Sequence, residues 1–169
     1  MGILDLKNTL KGLNQKDLMD LIIDLYQGNK YVKEQLDYRF TPNEDELIKV
    51  YKKKVLEAFY PKHGDQFHLK IGKQAITDFR KFQPRPDSLI DLMMYYVECG
   101  VRLTREYGDI NDNFYSSLAS VYSDVMKLIS KGDFYNKFKD RAFGIVDNTK
   151  DIGWGFHDFV SDVYGETYG

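Results

Sequence analysis

The residues with most chemical promise lie near the end of the chain, in Gly153-Trp154-Gly155-Phe156-His157-Asp158. Glycines reach backbone conformations closed to other residues. A helix beginning just after them would offer free N–H groups to an anion, with His157 at hand as acid or base. The same string also reads as a turn that plugs Trp154 into the core, leaving His157, Asp158, Ser161 and Asp162 on the wet side of a final helix. A second cluster, Asp109-Ile110-Asn111-Asp112-Asn113, has the closely spaced oxygens that suit calcium or magnesium. Tested against the calcium-loop pattern, it has Asp109, Asn111 and Asn113 at alternate positions. Phe114 stands where glycine is needed, however, and Ser120 where the bidentate acid belongs. Asn and Asp are equally the ordinary caps of helices.

Charge gives a third candidate. Lys and Arg against Asp and Glu number 6 to 8 over residues 1–45, 10 to 4 over 46–86 and 8 to 14 over 87–169, so a net −2 hides a basic middle. Lys62, Lys70, Lys73, Arg80, Lys81 and Arg85, with His63 and His68 nearby, are where a polyanion such as nucleic acid would bind. Asp45 stands four residues before Lys49, and Glu57 four after Lys53. Part of the charge can therefore be answered locally, or by the acidic remainder of the chain. No nucleic-acid motif is present.

Other chemistries find less support. His157-Asp158 is similar to the dyad of all-helical metal phosphohydrolases, which need two histidines and two aspartates around a metal ion. Only 11 residues follow it, and His63 and His68 lie far upstream. A hydrolase of that kind would draw on Asp109, Asp112, His157 and Asp158. Ser161 is one helical turn from His157, poor geometry for an activated nucleophile, and no Gly-x-Ser-x-Gly elbow exists. Cys99, beside Val97, reads as an inert core thiol. Phosphate-loop and dinucleotide glycine patterns are missing, so no metal ligand set and no cofactor are expected.

The elements that must position these residues read as helices. Apolar residues recur at three and four spacings and almost never alternate, which predicts an all-α fold. Leu6, Leu10 and Leu13 open the pattern; Leu18, Leu21, Ile22 and Leu25 follow, between Asn14 as cap and Gly28 as stop. A third helix spans about 29–40. Thr41-Pro42-Asn43-Glu44 should then launch one that carries Leu47, Tyr51, Val55 and Phe59 inward. Residues 61–70 read as loop, with Phe67 to Ile71 extended. Ala75, Ile76, Phe79 and Phe82 mark a helix closed by Gln83-Pro84-Arg85-Pro86. A broad-faced helix over 87–107 should be central, with Gly100 marking a close crossing. Asn111 should cap the next, and two more follow, over about 134–146 and from Phe156 onward.

Length and a 43% hydrophobic content fit a single domain, residues 1–169: an irregular antiparallel bundle or short α-solenoid of about eight or nine helices. Thirteen tyrosines and 11 phenylalanines predict a core of large rings whose hydroxyls need partners. One cysteine excludes an intrachain disulfide and suits the cytoplasm. The start, Met1-Gly2-Ile3-Leu4-Asp5, resembles no export signal, and Leu6 breaks the myristoylation pattern.

Taken together, Tyr95-Tyr96-Val97-Glu98-Cys99-Gly100-Val101, Tyr107-Gly108-Asp109-Ile110, Phe114-Tyr115 and the string from Ile152 to Asp158 resemble a small bacterial family of unknown function. The similarity runs along nearly the whole chain, including the Phe59-Tyr60-Pro61-Lys62 turn. It implies a one-domain, cytoplasmic bacterial protein and brings no activity, cofactor or catalytic residue with it. The leading expectation is therefore an interaction or adaptor module with a protein partner and no membrane. Abundant tyrosine, segregated charge and the lack of a catalytic constellation support it. Polyanion binding through 46–86 comes second, and the metal-dependent hydrolase third.

Overall fold

Apolar spacing at helical pitch, punctuated by Asn, Gly and Pro, is realised as helix in the computed structural model, which describes residues 1–64 and 66–169. Among the described residues there are nine helices and no strand, an all-α helical bundle. The chain clusters into two compact units, 1–43 and 44–169.

The first unit holds α1 (Ile3–Lys11), α2 (Gln15–Gly28) and α3 (Lys30–Phe40). Asn14 caps α2 through its side-chain oxygen, which accepts from Asp17 N at 2.9 Å, and α2 stops at Gly28 as the sequence predicts. Asn29 then caps α3, accepting from Tyr31 N and Val32 N. The α2–α3 pair is joined by polar contacts: the Tyr26 hydroxyl donates to Asp37 at 2.8 Å and receives Lys33 Nζ at 2.6 Å. No residue of these three helices is buried.

The second unit holds the core. It comprises α4 (Glu44–Phe59), α5 (Leu69–Arg80), α6 (Pro86–Tyr107), α7 (Asp112–Gly132), α8 (Tyr135–Asp147) and α9 (Phe156–Tyr168). Helix α6 has more buried residues than any other and packs against α4, α5, α7 and α8, the central place its broad apolar surface predicts. Pro86 starts it at a position where the missing N–H costs nothing. At Gly100 a methyl group would stand 2.5 Å from the Leu118 side chain, so glycine lets α7 cross closely. Two of the buried rings find partners for their hydroxyls: Tyr96 Oη lies 3.0 Å from Ser117 Oγ, and the Tyr115 hydroxyl donates to Asp109 at 2.9 Å.

Several elements differ from their sequence expectation. Thr41 closes α3 instead of opening α4: its N–H and hydroxyl both donate to Asp37 O, and α4 begins only at Glu44. Residues 69–71 are helical, because His68 N donates to Ala58 O at 2.7 Å and pins the chain where α5 starts. Trp154 is 59% exposed instead of plugged into the core. Asn111 does cap α7, accepting from Phe114 N at 3.0 Å.

Candidate functional site

Charge placed on the facing sides of α6 and α8 builds the most distinctive surface of the second unit. On α6 the residues Glu98, Arg102 and Glu106 follow one another at four-residue spacing, so they share one face, and Arg105 lies beside them. Arg141 and Asn148 approach from α8 and its end. These side chains line a groove of about 590 Å³.

One end of the groove is a closed charge network. Arg141 forks onto Glu98, with Nε to Oε1 at 2.6 Å and Nη2 to Oε2 at 2.9 Å, and a further edge donates to the Asp91 carboxylate. Lys52 on α4 reaches the other Asp91 oxygen at 2.8 Å. Two cations and two anions therefore cancel, and the paired planar geometry makes each contact strong. Burial alone would raise the pKa of Asp91; hydrogen bonds from Lys52 and Arg141 outweigh it and hold the carboxyl below its ordinary range. Burial likewise works against the charged Arg141, and Glu98 more than restores it.

The other end is open. Arg102 has an acid four residues away on either side, the arrangement that normally ion-pairs a helical arginine. Neither acid pairs with it: Glu98 is held by Arg141, and Glu106 accepts from the neutral Tyr60 hydroxyl at 2.7 Å and keeps its charge. Arg105 donates to the neutral carboxamide oxygen of Asn148. The nearest acid in sequence to Asn148, Asp147, pairs with Lys150. Among the described residues neither Arg102 nor Arg105 has a carboxylate within ion-pair distance, so two guanidinium groups face the groove against the one unpaired charge of Glu106 and the more distant field of Asp147.

Past Arg105 and Asn148 the groove continues into a hollow of about 480 Å³ lined by Asp109, Asp147, Lys150, Asp151 and Ile152. Here the two promising strings of the sequence meet. Gly153 N donates to Asp109 Oδ1 at 3.4 Å, and the same oxygen receives the Tyr115 hydroxyl. A methyl group at Gly153 would stand 2.8 Å from Asp109 Oδ2, so glycine permits the approach. Trp154 and Gly155 then take left-handed backbone conformations, with φ of 60° and 67°, which costs Trp154 strain and leaves its indole in solvent.

His157 serves this turn. Thr149, fully buried, gives its hydroxyl proton to Val146 O at 2.7 Å. The 3.0 Å contact to His157 Nδ1 must therefore be donated by the imidazole, which fixes the tautomer. Asp158 and Asp112 are exposed in the first turns of α9 and α7. The hollow brings Asp109 beside the turn, but His157 and Asp158 do not line it. Among the described residues no three His, Cys, Asp or Glu side chains stand where they could hold one metal ion.

The basic middle is dispersed and largely answered. Lys62 pairs with Glu57 at 3.3 Å, Lys81 with Asp78 at 2.8 Å, and Arg85 with Glu44 at 3.1 Å while also reaching Asp45 and Asp87. Lys49 pairs with Glu46. Arg80 turns its guanidinium to Met93 Sδ at 3.4 Å. Lys70 and Lys73 remain on α5 with no acid within ion-pair distance among the described residues. Cys99 is fully buried, which pushes its thiol up to about 11, a poor nucleophile at neutral pH.

Sequence reasoning missed Glu98, Arg102, Arg105, Glu106 and Arg141. The four-residue ladder of Glu98, Arg102 and Glu106 is visible in the sequence, but it reads as a self-neutralising helix face until Arg141 and Tyr60 are known to claim both acids.

Fold and groove together define a small all-α protein with a charged cleft between two helices. The chain belongs to a family of unknown function, DUF6155, matched over residues 1–166. No curated protein and no solved structure matches it. No helix is long and apolar enough to cross a membrane among the described residues.

Proposed function

We propose that this protein is a cytoplasmic protein-interaction module whose groove between α6 and α8 receives an acidic group of a protein partner, a side-chain or terminal carboxylate. The observation that carries this reading is Arg102, without an ion pair to either helical acid and facing the groove beside Arg105. A guanidinium fork matches a carboxylate in shape and charge. Trp154, two residues from Ile152 at the groove's continuation, adds an exposed aromatic of the kind enriched at interfaces.

The site favours a short anionic group over a nucleic-acid backbone. Glu98 and Glu106 share the groove with the arginines, and Asp109, Asp147 and Asp151 line its continuation, so a run of phosphates would meet repulsion along its length. The buried thiol of Cys99 suits a reducing compartment.

The test is fluorescence anisotropy with labelled aspartate-rich and glutamate-rich peptides, and with a short single-stranded DNA for comparison. Acidic peptides should bind wild type at low salt, weaken as salt rises, and lose about tenfold or more in Arg102→Glu with Arg105→Glu. Replacing Lys70 and Lys73 should leave that binding unchanged. Peptides that fail to bind at low salt, or DNA binding that depends on Lys70 and Lys73 alone, would overturn the reading.

A further inference from the structure

We infer that the acidic segment taken by the groove carries a bulky apolar side chain beside its carboxylate, and that this side chain occupies a second cavity on the neighbouring face of α6; the inference rests on the groove reading above. This cavity, about 460 Å³, is lined by Phe59, Tyr60, Phe67, Leu103, Tyr107 and Ile110. Its size falls within the roughly 300–1,000 Å³ of ordinary ligand sites, and its walls are aromatic and aliphatic as such sites require.

The two cavities share a wall. Tyr60 lines the apolar cavity, Glu106 lines the groove, and the 2.7 Å hydrogen bond between them is the partition. Along α6 each residue advances about 100°, so Arg102, Arg105 and Glu106 form one stripe and Leu103 and Tyr107 the next. A ligand laid across the end of α6 therefore meets guanidinium on one side and apolar surface on the other. That adjacency specifies the partner's chemistry: the carboxylate complements Arg102 and Arg105, and its apolar neighbour covers surface that water now covers. Tyr107 supplies the incentive. It is an aromatic ring 75% exposed at the rim, with apolar area to remove from water when a ligand docks.

The difference between the two walls adds selectivity. The apolar cavity offers an acidic side chain no cation, so one that strayed past the partition would lose its hydration without gaining an ion pair. The segment should thus be read in one orientation, carboxylate over the arginines and apolar side chain over Tyr107.

The experiment uses short labelled peptides with two adjacent aspartates and, at each neighbouring position in turn, alanine or tryptophan. Binding is measured by anisotropy to wild type, Tyr107→Ala, Tyr107→Phe and Arg102→Glu with Arg105→Glu. Tryptophan at one or two positions should tighten binding to wild type about tenfold over alanine. The gain should vanish in Tyr107→Ala and persist in Tyr107→Phe, and the arginine double variant should weaken every peptide. Tyr107 is too exposed for its replacement to endanger folding. If aspartate peptides bind but tryptophan gives no gain at any position, or the gain survives Tyr107→Ala, this inference falls and the groove reading stands. If no peptide binds wild type, both fall.

Discussion

The two ends of the groove between α6 and α8 contain the same kinds of residue and put them to different uses. At one end Lys52, Asp91, Arg141 and Glu98 cancel one another and tie three helices together. At the other, Arg102 and Arg105 sit beside Glu106 and Asn148 with no ion pair. Arginine count does not decide which end binds a ligand; the ownership of the carboxylates does. Glu98 is the pivot, because by pairing across to α8 it stabilises the first end and frees Arg102 at the second.

Removing Arg141 tests this division most severely. Arg141→Ala should leave Glu98 half-buried without its cation and Asp91 with Lys52 alone, and lower stability by about 3 kcal/mol, the lower end for a broken buried pair. Arg102→Ala should change it by less than about 0.5 kcal/mol, as for other exposed sites. Urea denaturation of both variants measures the contrast. Equal losses would mean that Arg102 also serves folding, and the two ends would no longer differ.

Acid offers a second way to separate the ends. The carboxyl of Asp91 is held below its unfolded value of 3.8, so the folded state favours its ionised form. Its contribution is fully present above that value and lost as pH falls through the still lower folded one. The stability gap between wild type and Asp91→Asn should therefore be widest near neutrality, about 2 kcal/mol for a charge-assisted contact of this type, and close in strong acid. Glu44, Asp78 and Asp87 are also held low but occur in both proteins, so they cancel in the difference. A gap that does not change between pH 6 and pH 2 would remove the network from the account of stability.

How far the sequence predicts this arrangement depends on distance along the chain. The start of α6 follows from Pro84-Arg85-Pro86, the cap of α7 from Asn111, and the close crossing of α6 and α7 from a glycine where a helix would rather have alanine. All are local signals, or local costs that need a reason. The extended reading of 67–71 misleads because five residues are too few to separate extended chain from a helix start, and the hydrogen bond from His68 to Ala58 that decides it joins separate elements. Glu98 and Arg141 stand 43 residues apart, and Glu106 and Tyr60 stand 46. No periodicity could announce those pairings. The meeting of Asp109 with Gly153 was only half legible: both strings stand out for composition, while their contact depends on how α6, α7 and α9 pack.

The smallest expected effect sharpens the comparison most, because it converts the open end toward the closed one with a single atom. In Asn148→Asp the carboxamide that now meets Arg105 becomes a carboxylate, so Arg105 gains an ion pair like those at the other end. Exposed pairs contribute about 0–1 kcal/mol. Against that gain stand the loss of the 2.7 Å bond from Asn148 Nδ2 to Gly144 O and a new negative charge at the end of α8, where the helix dipole disfavours it by a few tenths of a kcal/mol. Net stability should hence stay within about 0.5 kcal/mol of wild type. Affinity for acidic peptides should nevertheless fall by about threefold to tenfold, since the ligand must now compete with a resident carboxylate. Urea denaturation and anisotropy on the same preparation read both quantities. Unchanged affinity alongside unchanged stability would show that Arg105 takes no part in recognition and would leave Arg102 to act alone.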